Sequence, residues 1–373
     1  MRPGPPTSAH STRDRVIAAS SAPVAWTDPE RRDRFSAWLQ AIAPRHGLDP
    51  ASLRSASSDA SFRRYLRLDA AHGRTFIVMD APPPQENVRP FVRIARRFRA
   101  CGLNLPEVLE ADEVHGFLLL TDLGTRLYLE ALQSAQARGE AATVDGLMRD
   151  AIDALVRWQG CGAPEGTDAA LPPYDDALLR RELGLFPEWC VGREHGVTWS
   201  TTEEDLWRGT CDLLVASALA QPTVPVHRDW MPRNLMVGAP CEPGILDFQD
   251  AVVGPVTYDV ASLLRDAFVS WDEEREIDWA VRYWERARGA GVPVQDDFGE
   301  FWRALEWMGL QRHLKVLGIF CRLKHRDAKP AYSRDLPRFF EYAHKVATRY
   351  GALRPLARLL EPLMGTRRLE AFY

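Results

Sequence analysis

Between two short apolar runs lies "VHRDWMPRNLMV", residues 226–237, which packs His227, Arg228, Asp229, Arg233 and Asn234 into one polar knot. Further on comes Asp247, in "GILDFQD". A carboxylate, an amide and a second carboxylate, each beside a strand-like segment, suit one reaction above others. Moving a phosphoryl group from a nucleotide needs a base for the acceptor hydroxyl and oxygen ligands for Mg²⁺, held within fractions of an ångström. Magnesium prefers carboxylate, amide oxygen and water. The spacing predicts Asp229 as the base, with Asn234 and Asp247 as Mg²⁺ ligands on ATP phosphates. His227 reads as a hydrogen-bonding organiser of the loop, not a proton carrier. Asp250 either reaches a second metal or caps a turn. Asp259, in "TYDVASLL", either caps a helix or braces the loop's backbone amides. The bland alternative, polar residues that merely cap a loop, does not account for the joint spacing.

These residues need elements to hold them. "TVPV" and "NLMV…GILDF" flank the knot as short strands inside a region, from 125 onward, that is otherwise helical in pattern. One long helix near 298–324 carries Phe301, Trp302, Leu305, Leu314 and Leu317 on an apolar stripe. The first third reads differently. "TDPERRDRFSAWLQAIA" is a helix capped by Thr27 or Asp28, with Pro29 in its first turn. Strands follow at Leu53–Ser57, "FRRYLRLDA" and "RTFIVMDAPPP". "NVRPFVRIARRFRACG" is a helix with Val88, Phe91, Ala95 and Phe98 inward and five arginines (Arg89, Arg93, Arg96, Arg97 and Arg99) on a solvated face. "LPEVLEADEVHGFLLLTDLG" closes the region as a hairpin. The expected division is a poorly ordered leader, 1–27, a small sheet domain, 28–121, and a larger, mainly helical domain, 122–373. The fold class is α+β.

Composition excludes several functions. A chain of 373 residues, 46% hydrophobic and 26% charged, is an ordinary globular protein. Its net charge of −4 offers no basic field for nucleic acid or anionic membrane. No apolar run approaches the roughly 18 residues of a membrane span. The six cysteines have no zinc-like spacing and argue against a secreted disulfide framework, so the expected location is cytoplasmic.

His227-Arg228-Asp229 with Asn234 in register, then Asp247-Phe248, matches the catalytic motifs of protein kinases. The chain resembles the aminoglycoside phosphotransferase and choline kinase-like branch of that fold over roughly residues 30–350. It departs from protein kinases in lacking an Ala-Pro-Glu after the Asp-Phe, and in having Met231 at the usual catalytic-loop lysine. Within the branch, "SDASFRRYLRL", "FIVMDAPPP", "LLLTDLG", "GILDFQDAVVGPVTYDVASLLRD" and "LQRHLKVLGIFCRL" are similar to the kinases that phosphorylate N-acetylmuramate and N-acetylglucosamine on the anomeric hydroxyl in bacterial cell-wall recycling. That resemblance implies a bilobal protein-kinase-like fold. It also implies that the turn around Ser58 and Ser61 covers the phosphates, and that Asp122 and Leu123 meet adenine. The strand lysine of kinases is replaced by Met79 and Asp80. Arg63 or Arg64 is the candidate to supply the missing positive charge, or both simply decorate a strand.

The stretch 301–340 carries nine Lys/Arg against three acids, which suits an anionic acceptor better than a polycation. Arg312 and Lys315 are the expected substrate contacts, since Arg312, His313 and Lys315 are not all expected to face the core. Trp230 either stacks on a sugar or packs within the loop. Glu182, Phe186 and Trp189 fall on a helix expected at the pocket floor, without an assigned role. Two further readings stay open: a kinase of another hydroxylated metabolite or of an aminoglycoside, and an inactive kinase-fold nucleotide-binding module.

Overall fold

The computed structural model describes residues 24–57, 62–162, 170–238 and 243–364. In chain order its elements are α1 (Pro29–His46), β1 (Arg54–Ser57), β2 (Arg64–Asp69), β3 (Thr75–Asp80), α2 (Arg89–Ala100), β4 (Val108–Asp112) and β5 (Phe117–Thr121). Then come α3 (Tyr128–Ala137), α4 (Ala141–Gln159), α5 (Asp176–Leu183), α6 (Thr201–Leu219), β6 (Thr223–Val226), β7 (Leu235–Met236), β8 (Gly244–Ile245) and β9 (Val252–Pro255). Last are α7 (Tyr258–Leu264), α8 (Glu273–Gly289), α9 (Phe298–His325), α10 (Leu336–Arg349) and α11 (Arg354–Met364). Two compact units divide the chain: one runs to Arg89 and adds Glu107–Asp122, the other holds Pro90–Pro106 and everything from Leu123.

The first unit is an antiparallel sheet in the order β1-β2-β3-β5-β4. One face is covered by α1, whose Phe35, Leu39, Ile42 and Ala43 bury against Leu66, Leu68, Phe76, Val78, Phe117 and Leu119. Those sheet residues alternate along their strands because successive side chains point to opposite faces. α1 begins where Asp28 accepts from the backbone N–H of Glu30 at 2.9 Å and Arg31 at 3.2 Å. It stops at Gly47, whose φ of 62° an L side chain rarely adopts. Trp26, assigned by sequence to the leader, packs on Phe35 with ring centroids 4.9 Å apart.

The second unit is mostly helical. Residues 90–106, assigned by sequence to the first domain, belong here because α2 turns its apolar face inward. Phe91 meets Phe248 at 4.6 Å, and Phe98 lies flat on Trp158. Arg97 departs from the solvated face predicted for it. It is buried, donates to the Cys161 carbonyl at 3.1 Å, and burial lowers its pKa. A disulfide joins Cys101 to Cys161, Cα atoms 5.9 Å apart, a pairing across 60 residues that the scattered spacing gave no reason to expect. Cys190, Cys211 and Cys321 are free and buried. Among the described residues no helix is long and apolar enough to cross a membrane.

Candidate active site

β6 pairs antiparallel with β9, and the chain leaves Val226 straight into the polar loop. Asp259, fully buried in the first turn of α7, accepts from the backbone N–H of His227 at 2.6 Å and of Arg228 at 3.0 Å. Of the two readings of Asp259, the structure thus gives the brace. Arg228 sits at φ 76°, a left-handed conformation that costs a non-glycine residue roughly 1–2 kcal/mol. Those two hydrogen bonds help hold it there. Burial pushes the Asp259 carboxyl up to about 7, against the pull of the two N–H donors and Arg312.

Beyond Asp229 the loop folds onto itself. Met231 N–H donates to the Asp229 carbonyl at 2.9 Å, and Asn234 N–H to the Met231 carbonyl at 2.8 Å. The Asn234 side-chain N–H₂ donates to the Asp229 carbonyl at 3.0 Å. That bond commits the amide nitrogen and turns the oxygen Oδ1 the other way. β7 then pairs with β8, Leu235 opposite Ile245, and Leu246 N–H donates to the Asn234 carbonyl at 2.9 Å. Asp247 follows at once, itself at φ 59°, with Gln249 Nε2 donating to its Oδ1 at 2.8 Å. A short circuit of hydrogen bonds therefore ties the segments bearing Asp229, Asn234 and Asp247 together. The Asn234 amide oxygen and the Asp247 carboxylate are hard donors of the kind Mg²⁺ takes alongside water and phosphate oxygens. Among the described residues no group of three His, Cys, Asp or Glu side chains could hold a metal by itself. Asp250 is exposed and meets Gln249 at 3.4 Å.

His227 is fully buried, its ring 5.0 Å from Trp158 and 5.4 Å from Trp230. Burial lowers its pKa to about 4, against the raising effect of Asp229, so it is neutral at pH 7. Its Nδ1 accepts from Asp229 N–H at 3.3 Å, as fits an organiser. Trp230 is also fully buried, 6.0 Å from Trp158, so it packs behind the loop and leaves no open face for a sugar.

Arg312, His313 and Lys315 all face the interior, contrary to the sequence expectation. Lys315 Nζ lies 2.9 Å from Glu182 Oε1 and donates to Tyr258 OH at 2.9 Å. Arg312 acts electrostatically on Asp259 and Asp266. Further along, Lys324 donates to Glu194 at 2.6 Å and Arg326 to Asp327 at 2.7 Å, so parts of the basic stretch are neutralised locally. Sequence reasoning named Glu182 but gave it no role. It accepts from Arg228 Nη2 at 2.6 Å as well as pairing with Lys315. Burial alone would raise its pKa, but Lys315 and Arg228 prevail and bring it down to about 2. No motif marks it, because its cationic partners Arg228 and Lys315 lie 46 and more residues away.

In the first unit, Arg64 Nε donates to Asp80 Oδ2 at 2.9 Å and Arg31 Nε to Asp80 Oδ1 at 2.8 Å. Asp80, where a kinase strand has its lysine region, thus absorbs Arg64. Arg63 pairs with Glu86 at 3.4 Å. The Asp122 carboxylate accepts from Arg67 Nε at 2.6 Å and from Thr75 Oγ1 at 2.7 Å. Leu123, in the second unit, presses on Gly244, where a Cβ would stand 2.9 Å from Leu123 Cδ1. Ser58 and Ser61 lie outside the described residues.

Residues 52–296 match the family model described as "Phosphotransferase enzyme family". An N-acetylmuramate/N-acetylglucosamine kinase of Pseudomonas putida is 50% identical over 91% of this chain and 94% of its own. A protein of the same name from Pseudomonas aeruginosa is 47% identical over 90% and 98%. Among solved structures, the GDP complex of aminoglycoside 2'-phosphotransferase-IIIa superposes with a TM-score of 0.59 at 13% identity, covering 85% of this chain and 99% of that one. That likeness shows the bilobal protein-kinase-like fold. The chain belongs to the phosphotransferase enzyme family.

Proposed function

We propose that the chain transfers the γ-phosphoryl group of ATP to the anomeric hydroxyl of N-acetylmuramate and N-acetylglucosamine, as a step of peptidoglycan recycling in the cytoplasm. The observation that carries this reading is the hydrogen-bonded circuit joining Asp229, Asn234 and Asp247. The names of relatives at about half identity supply the acceptor. Asp229 orients the acceptor hydroxyl and accepts its proton as the oxygen attacks phosphorus. Asn234 Oδ1 and the Asp247 carboxylate hold Mg²⁺, which offsets the charge on the phosphates when bound. Arg63, oriented by Glu86, supplies positive charge in place of the strand lysine. Ser58 and Ser61 cover the phosphates, and Asp122 and Leu123 meet adenine through backbone groups. Arg312 and Lys315 act on the loop indirectly, through the buried carboxylates Asp259 and Glu182, and Trp230 packs behind it.

Phosphorylation at the anomeric carbon removes a reducing end. Incubation with ATP, Mg²⁺ and N-acetylmuramate should therefore consume ATP and reducing sugar in equal amounts. ATP consumed with the reducing end intact would place the transfer on another hydroxyl. Turnover only with cationic aminoglycosides would overturn the acceptor.

A further inference from the structure

We propose that Glu182 is a positioning residue for the transfer step, acting through Arg228 and Lys315. The proposal rests on the reading of Asp229 as the base. Glu182 lies near the end of α5, 4% exposed. Its Oε1 takes Arg228 Nη2 at 2.6 Å and Lys315 Nζ at 2.9 Å. Its Oε2 accepts from Tyr174 OH and from Gln311 Nε2, the latter at 3.4 Å. Lys315 reaches on to Tyr258 OH. One carboxylate thus fastens α5, α9, α7 and the catalytic loop to a common point. Gly318 on α9 makes the approach possible, because any Cβ there would run into the backbone of Leu185, three residues beyond Glu182.

Buried ion pairs stabilise little compared with apolar groups of the same volume, and the best-attested reason to keep one is to fix a single arrangement. The arrangement fixed here is that of the residue just before the base. Arg228 holds its left-handed backbone through Asp259 and its guanidinium through Glu182. If the guanidinium is released, Arg228 keeps only its Asp259 hydrogen bond against the strain of its left-handed backbone, and Asp229 beside it is held less firmly. Lys315 adds a second effect. Met231 stands where kinase loops usually carry a lysine, and Lys315 brings an ammonium within electrostatic reach of Asp229 from α9. Glu182, Arg228, Lys315 and Asp229 together carry no net charge, and removing one carboxylate unbalances them.

The test compares Glu182→Gln, Lys315→Met and the double variant with wild type and Asp229→Asn, reading kcat, KM for ATP and thermal unfolding. Misplacing a base by about 1 Å costs on the order of 100-fold. Glu182→Gln should lower kcat by about 10- to 100-fold with KM for ATP within about twofold. The double variant should fall no further than the slower single. Wild-type kcat in Glu182→Gln, losses that multiply in the double, or a rise in KM matching the fall in kcat would each overturn the role. If Glu182→Gln does not fold, Arg228→Gln carries the test, since it breaks the same contact and leaves Glu182 paired with Lys315; unchanged kcat there overturns the proposal. Full activity in Asp229→Asn would instead remove the base assignment. A wild type active only on another acceptor would change the proposed substrate, and the same ratios would then be read on that acceptor.

Discussion

His227 stands inside the loop that bears Asp229 and Asn234 and yet carries no charge at neutral pH. Its folded pKa of about 4 lies below an unfolded value near 6.5, so the unfolded chain takes up a proton that the native chain refuses. Stability tied to this residue is present above pH 6.5 and is lost as pH falls toward 4. By pH 4.5 the loss should reach about 2–3 kcal/mol. Urea unfolding at pH 7.5 and 4.5 should show it for wild type and not for His227→Gln; equal losses in both would contradict the neutral histidine. Asp229→Asn keeps the shape of the loop but removes the proton acceptor. It should lower kcat by roughly 10²- to 10⁴-fold and leave nucleotide affinity nearly unchanged, as measured by titration calorimetry. Much of this scale was legible in the sequence, because Asp229, Asn234 and Asp247 are placed by local hydrogen bonds within one stretch of chain. Glu182 was not. Its meaning depends on α9 lying against the segment after α5, and nothing in "RREL" announces Arg228 or Lys315.

Elements were legible where the pattern was long or punctuated. β2 and β3 alternate around a turn and stop at prolines, and α1 starts at an aspartate before Pro29. Asp28→Ala should cost about 1 kcal/mol, seen as a lower urea midpoint at unchanged m-value. The pattern failed on α9. Three charged or polar residues at 312, 313 and 315 looked too costly to bury, but Glu182, Asp259 and Asp266 wait for the two cations on the neighbouring elements. Arg97 on α2 is a like case, buried beside a carbonyl that sequence could not foresee. Gly318 gives the packing of α9 a direct check. Gly318→Ala must push Leu185 away, so it should destabilise by about 1–3 kcal/mol and lower kcat along with Glu182→Gln. A variant as stable as wild type would mean that α9 does not approach so closely.

At the scale of the whole molecule, the division into a sheet unit and a helical unit followed from the change of hydrophobic period along the chain. Its exact seam did not, because α2 reads equally well in either unit until its partners Phe248 and Trp158 are known. The slight net negative charge and the pairing of Lys315 and Lys324 with glutamates argue against a broad basic surface as the basis of the proposed acceptor preference. The central claim is that the circuit around Asp229 transfers phosphate to an anomeric oxygen. Phosphorus NMR of the product formed from ATP and N-acetylmuramate tests it most directly. A sugar phosphate resonance split by coupling to the anomeric proton is expected, formed roughly 10²- to 10⁴-fold more slowly with Asp229→Asn. A resonance coupled to the C6 protons, or only free phosphate, would contradict it.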